Sequence, residues 1–169
     1  MNKPLIVDLP YPTLKEEQKD IKSAYIISPA YASRHGELMA ILQYNYQGYF
    51  LEEDSEIAKV LNQISIAEMK HLNILGQTLL KLGVDPIYTR VPPFKYDYFV
   101  SDFVSYSKTL QKIIMDDITG ELVAIKDYEE MLVKLQNEKV SAIISRIKLD
   151  EELHVKVLKN LLEQICEQK

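Results

Sequence analysis

Two six-residue stretches in different halves of the chain are almost the same. GELMAI occupies residues 36–41, and GELVAI occupies residues 120–125. Each is followed by the pattern E-x-x-H, at residues 68–71 in the first half and at residues 151–154 in the second. The repeated glutamate precedes the E-x-x-H glutamate by 31 residues in one half and by 30 in the other. This agreement indicates an internal duplication with two-fold pseudosymmetry.

Apolar residues at helical spacing predict four long helices. They cover about residues 31–52, 55–82, 101–136 and 138–165. We expect Asp54 or Ser55 to cap the second helix, Gly83 to end it and Asn137 to cap the fourth.

The connections between these helices predict their arrangement. The first link is short, which makes its helices antiparallel neighbours, whereas residues 84–100 contain three prolines and no helical period. A hairpin, a long crossover and a second hairpin would bury four apolar stripes in an all-α four-helix bundle. We assign residues 30–169 to this single domain. Residues 1–29 form an N-terminal arm, with a candidate short helix at residues 13–26 that Thr13 would cap.

Composition and charge argue against several kinds of partner. A chain of 169 residues with 47% hydrophobic content can bury a substantial core. Its formal charge of −5 comes without a basic cluster, so we expect no binding to nucleic acid. The N-terminal stretch lacks the apolar run of a signal peptide or membrane helix, so we expect a cytoplasmic protein. Because Cys166 is the single cysteine, any metal must be held by histidine and carboxylate.

The repeated acidic residues lie on helix faces that are otherwise apolar. Positions i and i+3 share one face of a helix, so Glu68 can converge with His71, and Glu151 with His154. Together with the two GEL-x-AI glutamates they make four buried carboxylates, which are costly unless cations balance them. Two divalent ions would do so. The pattern therefore predicts a site for two metal ions, with one imidazole for each.

Some of these features also have simpler interpretations. One E-x-x-H alone is a weak signal, because such a pair on an exposed face is usually only solvated. The glycine of GEL-x-AI can serve close helix packing, although that leaves the glutamate unexplained. Tyr44 and Tyr128, each seven residues after a repeated glutamate, are either core aromatics or donate a hydroxyl to a metal-ligand carboxylate. We expect His35 at the surface and Cys166 in the core near the C-terminus.

One glutamate from each of two helices, with E-x-x-H from each of the other two, resembles the ferritin-like di-metal carboxylate superfamily. The resemblance covers about residues 30–165 and is strongest to rubrerythrin-like and erythrin-like proteins. The segment RHGELMAILQYNYQ also resembles manganese catalases and their spore-coat relatives. Asp150 matches an aspartate that bonds a ligand imidazole, while its counterpart is Ala67, so we expect an asymmetric site. The implied metal ligands are Glu37, Glu68, His71, Glu121, Glu151 and His154.

This resemblance implies an oxidoreductase. A di-iron centre, or alternatively a di-manganese centre, would react with hydrogen peroxide or dioxygen, and we favour rubrerythrin-like peroxide reduction. Tyr44 or Tyr128 would donate or relay a proton. The sequence has no paired C-x-x-C motif of a rubredoxin-like module, so we expect an external electron donor such as a rubredoxin-like protein. We also expect a homo-oligomer, a dimer or larger. The alternatives are a manganese-catalase-like enzyme, a ferroxidase of iron storage and a structural protein of the spore-coat type.

Overall fold

Helices account for nearly all of the regular structure. The computed structural model describes residues 3–17, 19–52, 55–89 and 97–167. Within these ranges it contains five α-helices: α1 (Ile21–Ala32), α2 (Glu37–Gly48), α3 (Glu56–Lys81), α4 (Leu110–Lys134) and α5 (Glu138–Glu167). A 3-10 turn at Ser101–Phe103 and one isolated antiparallel bridge between Thr89 and Tyr98 complete the regular structure of those ranges. The predicted all-α fold is confirmed.

Helices α2 to α5 form a bundle of two hairpins. α2 packs against α3, and α4 packs against α5, so each half of the duplicated sequence makes one hairpin. The long crossover between α3 and α4 holds only the 3-10 turn and the bridge in its described part. Residues 90–96 of the predicted crossover lie outside the described residues.

Three predicted helix ends are present in the structure. The Ser55 hydroxyl accepts a hydrogen bond from the Ala58 N–H at 3.1 Å and caps α3. Its alternative, Asp54, lies outside the described residues. Asn137 Oδ1 accepts from the Val140 N–H at 3.3 Å where α5 begins. α3 is followed by Gly83, whose φ of 89° lies in the left-handed region that glycine tolerates.

The N-terminal region contains a shorter and later helix than predicted. α1 begins at Ile21, and Asp20 rather than Thr13 caps it by accepting from the Ser23 N–H at 3.0 Å. Asn137 also donates to Asp20 at 2.9 Å. A contact distant in the sequence therefore fixes the start of this helix, which local pattern alone misplaces.

The predicted helix over residues 31–52 is divided in the structure. Its first residues belong to the end of α1, and the chain then turns before α2 begins at Glu37. A Cβ on Gly36 would lie 2.7 Å from the carbonyl oxygen of Ala30 and 2.8 Å from that of Pro29. Because those atoms are backbone, only glycine fits this close turn.

Two further predicted helices are longer than those in the structure. α2 ends at Gly48, and the helix predicted from Ser101 begins only at Leu110. The preceding stretch is held by another helix, because the Ser105 N–H donates to Gln43 Oε1 at 2.8 Å. The side chain of Gln43 therefore binds a backbone N–H that a helix over this stretch would use.

The apolar core consists of two clusters along the bundle. One contains side chains of α1, α3, α4 and α5, and the other contains side chains of α2, α3, α4 and α5. Along α3, for example, Leu61 and Ile64 belong to one cluster, and Leu75 and Leu79 to the other. The buried polar side chains between them include carboxylates and imidazoles. Cys166, which was predicted in the core, is exposed because the last turn of α5 is largely open to solvent.

Candidate metal centre

The polar layer between the two apolar clusters contains all six predicted ligand side chains. Each of them is at most 5% exposed. They come from four helices: Glu37 from α2, Glu68 and His71 from α3, Glu121 from α4, and Glu151 and His154 from α5. The bundle therefore joins the two halves of the sequence repeat at one place.

One group of potential ligands surrounds His71. Its members are Glu37, Glu68, His71 and Glu151, whose ligand atoms all lie within 4.8 Å of one another. His71 Nδ1 lies 3.0 Å from Glu68 Oε2. It lies 3.2 Å from Glu151 Oε1 and 3.6 Å from Glu37 Oε2.

A second group surrounds His154. It consists of Glu68, Glu121, Glu151 and His154, again with all ligand atoms within 4.8 Å of one another. His154 Nδ1 lies 3.0 Å from Glu68 Oε1. It lies 3.4 Å from Glu151 Oε2 and 3.5 Å from Glu121 Oε2.

The two groups overlap in a way that suits a pair of ions. Glu68 and Glu151 belong to both groups, whereas Glu37 and Glu121 each belong to one. The two imidazole rings lie 6.1 Å apart between centroids. Shared carboxylates, with one further carboxylate and one nitrogen for each position, form the donor set of di-metal carboxylate proteins. The buried cluster could therefore hold two metal ions.

Several inward-facing atoms lack a hydrogen-bond partner among the described residues. They are Glu68 Oε1, Glu151 Oε1 and His154 Nδ1. His154 Nδ1 lies 3.0 Å from Glu68 Oε1, but the pair is not aligned for a hydrogen bond. Buried polar atoms without partners are costly. These atoms point into the shared space, where a cation would satisfy them, so the residues present fit a metal pair.

Protonation divides the four carboxyl groups into two kinds when no metal is bound. Burial raises the pKa of Glu37 and Glu121 well above the ordinary value, and the charges of Glu68 and Glu151 raise it further. Burial also opposes ionisation of Glu68 and Glu151, but hydrogen bonds from the first two carboxyls and the close approach of the two imidazoles lower both pKa values. Glu37 and Glu121 are therefore the carboxyls that hold protons in the metal-free protein.

The two imidazoles carry the compensating positive charge. Burial alone would lower their pKa, but the surrounding carboxylates outweigh it and raise the pKa of His71 and His154 well above the ordinary value. Two carboxylates and two imidazoliums then leave the metal-free layer neutral. Two divalent ions with four carboxylates and two neutral imidazoles leave it neutral as well.

Tyr44 and Tyr128 each donate a hydrogen bond across the bundle to a repeated glutamate. Tyr44, on α2, donates to Glu121 on α4, and Tyr128, on α4, donates to Glu37 on α2. Both tyrosines are buried, which raises the pKa of their hydroxyls well above the ordinary value. They hold the two unshared carboxylates in place, and their role in proton transfer stays a prediction.

The outer nitrogen of His71 faces the side chain of Asp150. His71 Nε2 and Asp150 Oδ2 are 3.0 Å apart. Tyr11 donates to the same carboxylate, and the Val7 N–H donates to it at 2.7 Å. Burial opposes ionisation of Asp150, but these hydrogen bonds and the one from Arg146 hold its pKa at about 2. A fixed carboxylate therefore orients this imidazole.

The outer nitrogen of His154 faces the N-terminal arm instead. Its Nε2 donates to the Leu5 carbonyl oxygen at 2.8 Å, which leaves Nδ1 turned toward the carboxylates. Arg146 Nη2 donates to the carbonyl oxygens of Val7 at 2.7 Å and Leu9 at 3.0 Å, and so ties the arm to α5. The two imidazoles thus have chemically different outer partners.

Sequence reasoning missed these contributions of the arm. The absence of an aspartate at Ala67 signalled that one imidazole needs another partner, but a backbone carbonyl such as that of Leu5 has no sequence signature. The contact of Tyr11 with Asp150 and His71 likewise has no signature in the sequence. His35 has 41% of its side chain exposed and lies 3.6 Å from Asp127, as expected of a surface residue.

A narrow cleft leads to the carboxylates between α2 and α4. His35, Met39 and Gln43 line it from the α2 side, and Asp117 and Gly120 from α4. Its volume for water-sized molecules is about 20 Å³, which is enough for about one water. A Cβ on Gly120 would meet no atom within 4 Å among the described residues. This glycine is therefore not required for helix packing, and it leaves the cleft wall open.

The bundle and its buried cluster define a ferritin-like di-metal carboxylate protein. The rubrerythrin family model matches residues 31–165, which include all six potential ligands. The chain belongs to the rubrerythrin family. A comparison with curated proteins found no match.

Solved structures share this fold. The manganese catalase KatB from Anabaena superposes with a TM-score of 0.79 at 18% identity, over 98% of this chain and 79% of that one. Bacterioferritin BfrA from Mycobacterium tuberculosis gives 0.72 at 22% identity, over 89% of each chain. A dodecameric thioferritin from Bacteroides fragilis gives 0.70 at 19% identity, over 89% of this chain and 90% of that one. At these identities the likeness shows the fold alone.

The helices do not have membrane-spanning character in the ranges that the structure describes. In the described ranges, none combines the length and the apolar composition needed to cross a bilayer.

Proposed function

We propose that this protein is a di-iron oxidoreductase that reduces hydrogen peroxide, with manganese as the alternative metal. The observation that carries the proposal is the pair of ligand groups that share Glu68 and Glu151 beside a narrow cleft. When bound, the two ions would supply one electron each to break the peroxide O–O bond. A cleft with room for about one water favours a small substrate such as peroxide or dioxygen.

The protein's own residues would shape this reaction. Glu68 and Glu151 would be shared between the ions, and Glu37 and Glu121 would each bind one. His71 and His154 would complete the two positions through Nδ1, because their outer nitrogens are engaged by Asp150 and Leu5. The apolar clusters on both sides keep bulk water from the polar layer. An external protein that donates single electrons would restore the reduced state.

A catalase-type reaction is the second candidate, in which another peroxide is the reductant. The match to KatB covers 98% of this chain and so includes most of the N-terminal arm. The match to the bacterioferritin BfrA covers 89%. The arm contacts both imidazoles, so the fold match to this manganese catalase extends over the segment that flanks the candidate site. We also propose a homo-oligomer, which light scattering can measure.

Peroxide consumption by the metal-loaded protein tests the proposal. The protein is loaded with ferrous iron without oxygen, or with manganese, and peroxide loss is followed with and without an artificial electron donor. We expect loss that requires the donor, without oxygen release. Donor-independent loss with oxygen release would identify the catalase reaction instead. A two-metal protein that leaves peroxide untouched under both conditions would overturn both.

Variants of the repeated glutamates tie this activity to the site. Glu37→Ala and Glu121→Ala should each abolish turnover, because each removes the unshared carboxylate of one position. Glu130→Ala is the matched control, since this glutamate lies exposed on α4 and pairs only with Lys134 in the described structure. It should keep both metal content and activity. Near-full activity of either site variant would contradict the assigned ligands.

A further inference from the structure

Asp117 is a buried acid that the reaction proposed so far does not use. It lies one helical turn before Glu121 on α4 and is 1% exposed. Gln43 Nε2 donates to its Oδ1 at 2.9 Å, and Gln47 Nε2 donates to the same oxygen at 2.8 Å. Both donors are uncharged amides. Asp117 also lines the cleft that reaches the carboxylates.

Two oxygens beside this contact lack partners among the described residues. They are Asp117 Oδ2 and Gln47 Oε1, both fully buried. Neither oxygen can donate if Asp117 is ionised, so two buried acceptors would stay unsatisfied. A protonated carboxyl and a primary amide instead form two parallel hydrogen bonds. One proton on Oδ2, shared with Gln47 Oε1, would satisfy both oxygens at once.

We propose that Asp117 is held as a neutral carboxylic acid and donates a proton to peroxide in the cleft. This role rests on the proposed function. Reduction of hydrogen peroxide breaks the O–O bond and takes up two electrons and two protons to give two waters. The metal pair would supply the electrons, Asp117 supplies one proton through Oδ2, and solvent in the cleft supplies the second. The resulting carboxylate keeps its two amide donors and takes up a proton from the bulk solvent through the cleft, which restores the acid.

The surroundings of Asp117 favour the neutral form. Burial raises its pKa to about 7, although the hydrogen bonds from Gln47 and Gln43 lower it. The neighbouring charge of Asp116 makes a smaller contribution, which also raises the pKa. The other titratable groups in the cleft are His35, Tyr44 and the four ligand glutamates. A pKa near the working pH is the most effective one for a general acid that must be reprotonated in each cycle.

Tyr44 is the nearest competitor for this role. It donates its hydroxyl proton to Glu121, a potential metal ligand, and burial raises its pKa well above the ordinary value, further from neutrality than that of Asp117. Releasing that proton would leave a buried phenolate and would break the contact that holds Glu121. Asp117 can give up its proton while its two amide contacts persist.

The protonation state can be measured without any activity assay. Protein labelled with ¹³C at the aspartate carboxyl carbon is titrated by NMR, both metal-free and loaded with zinc as a diamagnetic ion. Loss of one signal in Asp117→Asn assigns the residue. We expect this signal to titrate with a midpoint near 7. The matched control is Asp116, its chain neighbour, whose pKa is lowered despite partial burial by hydrogen bonds from Lys112, Ser107 and Ser105. An Asp117 midpoint as low as that of Asp116 overturns the proposal.

The donor role is tested by the same variant in the active protein. Asp117→Asn replaces the neutral acid by a group of the same shape that keeps the contacts to both glutamines, so the protein should fold and retain two metals. Peroxide turnover should fall by about a hundredfold, the usual size of a general-acid contribution. Asp116→Asn should keep it. Full turnover of Asp117→Asn overturns the donor role alone, whereas an inert wild-type protein overturns the proposed function and this role together.

Discussion

The two glycines of the repeat have different surroundings although their sequence contexts nearly coincide. A Cβ on Gly36 would lie 2.7 to 2.9 Å from three backbone atoms of α1, whereas one on Gly120 would meet nothing within 4 Å in the described structure. Gly36→Ala should therefore lower the free energy of unfolding by about 1–3 kcal/mol, because backbone must move. Gly120→Ala should raise it by about 0.5–1 kcal/mol, because alanine favours the helix interior. Urea unfolding measures both, and equal effects would contradict this difference.

The residues of the site differ in how clearly the sequence reveals them. Glu37 and Glu121 were found because an acidic residue on an apolar helix face is unusual and because it occurred twice. Asp117 gave a related signal, since it precedes Glu121 by one turn on the same face, but it has no counterpart in the other half. The Leu5 carbonyl gave none, because a backbone oxygen can be placed only by tertiary structure.

At the scale of elements, the N-terminal arm belongs to the site as much as the helices do. Its Leu5 carbonyl accepts from His154, and its Tyr11 hydroxyl contacts both Asp150 and, at 3.3 Å, His71. The Leu5 N–H also donates to the Gln63 carbonyl at 3.0 Å, which ties the arm to α3. An extended segment without helical pattern thus supplies part of the surroundings of both metal positions.

Removing one arm contact should weaken metal binding. Tyr11→Phe deletes the hydroxyl that bonds Asp150 beside His71, so we expect about tenfold weaker affinity at one of the two metal positions. Competition with a chelator followed by metal analysis measures this. Tyr25→Phe is the control, because Tyr25 is 47% exposed on α1. Equal metal affinity of both variants and the wild type would show that the Tyr11 hydroxyl does not contribute to metal binding.

Helix boundaries show how far local pattern determines the elements. α3 and α5 were predicted nearly to the residue, because Ser55 and Asn137 cap them through local contacts. α1 and α4 were misplaced where remote groups decide. The bond from Asn137 fixes the start of α1, and the contact of Ser105 with Gln43 keeps the chain before α4 out of a helix. Only the folded bundle brings these partners together.

At the scale of the whole molecule, the duplication makes the bundle symmetric while the arm makes the site unequal. Each hairpin supplies one unshared glutamate, one shared glutamate and one imidazole. The outer partner of His71 is an ionised carboxylate, but that of His154 is a neutral carbonyl. A carboxylate partner makes an imidazole a stronger base and metal ligand. The two positions should therefore fill with different affinities.

Metal binding should also release protons from the molecule as a whole. In the metal-free protein the raised pKa values of Glu37, Glu121 and both imidazoles keep four protons in the layer. Ligation requires carboxylates and neutral Nδ1 atoms, so loading two ions should release about four protons per chain near neutral pH. Because protons compete with metal, affinity should rise with pH. Calorimetric titration in two buffers of different ionisation enthalpy gives the proton count.

A single substitution shows whether that count comes from the assigned groups. Glu37→Gln carries no removable proton on its side chain, so the release should fall to about three protons per chain. Glu130→Gln, on the exposed side of α4, should leave the wild-type count unchanged. A wild-type count near zero would mean that the metal-free layer holds four ionised carboxylates with neutral imidazoles. That would contradict the neutral charge balance of the metal-free layer.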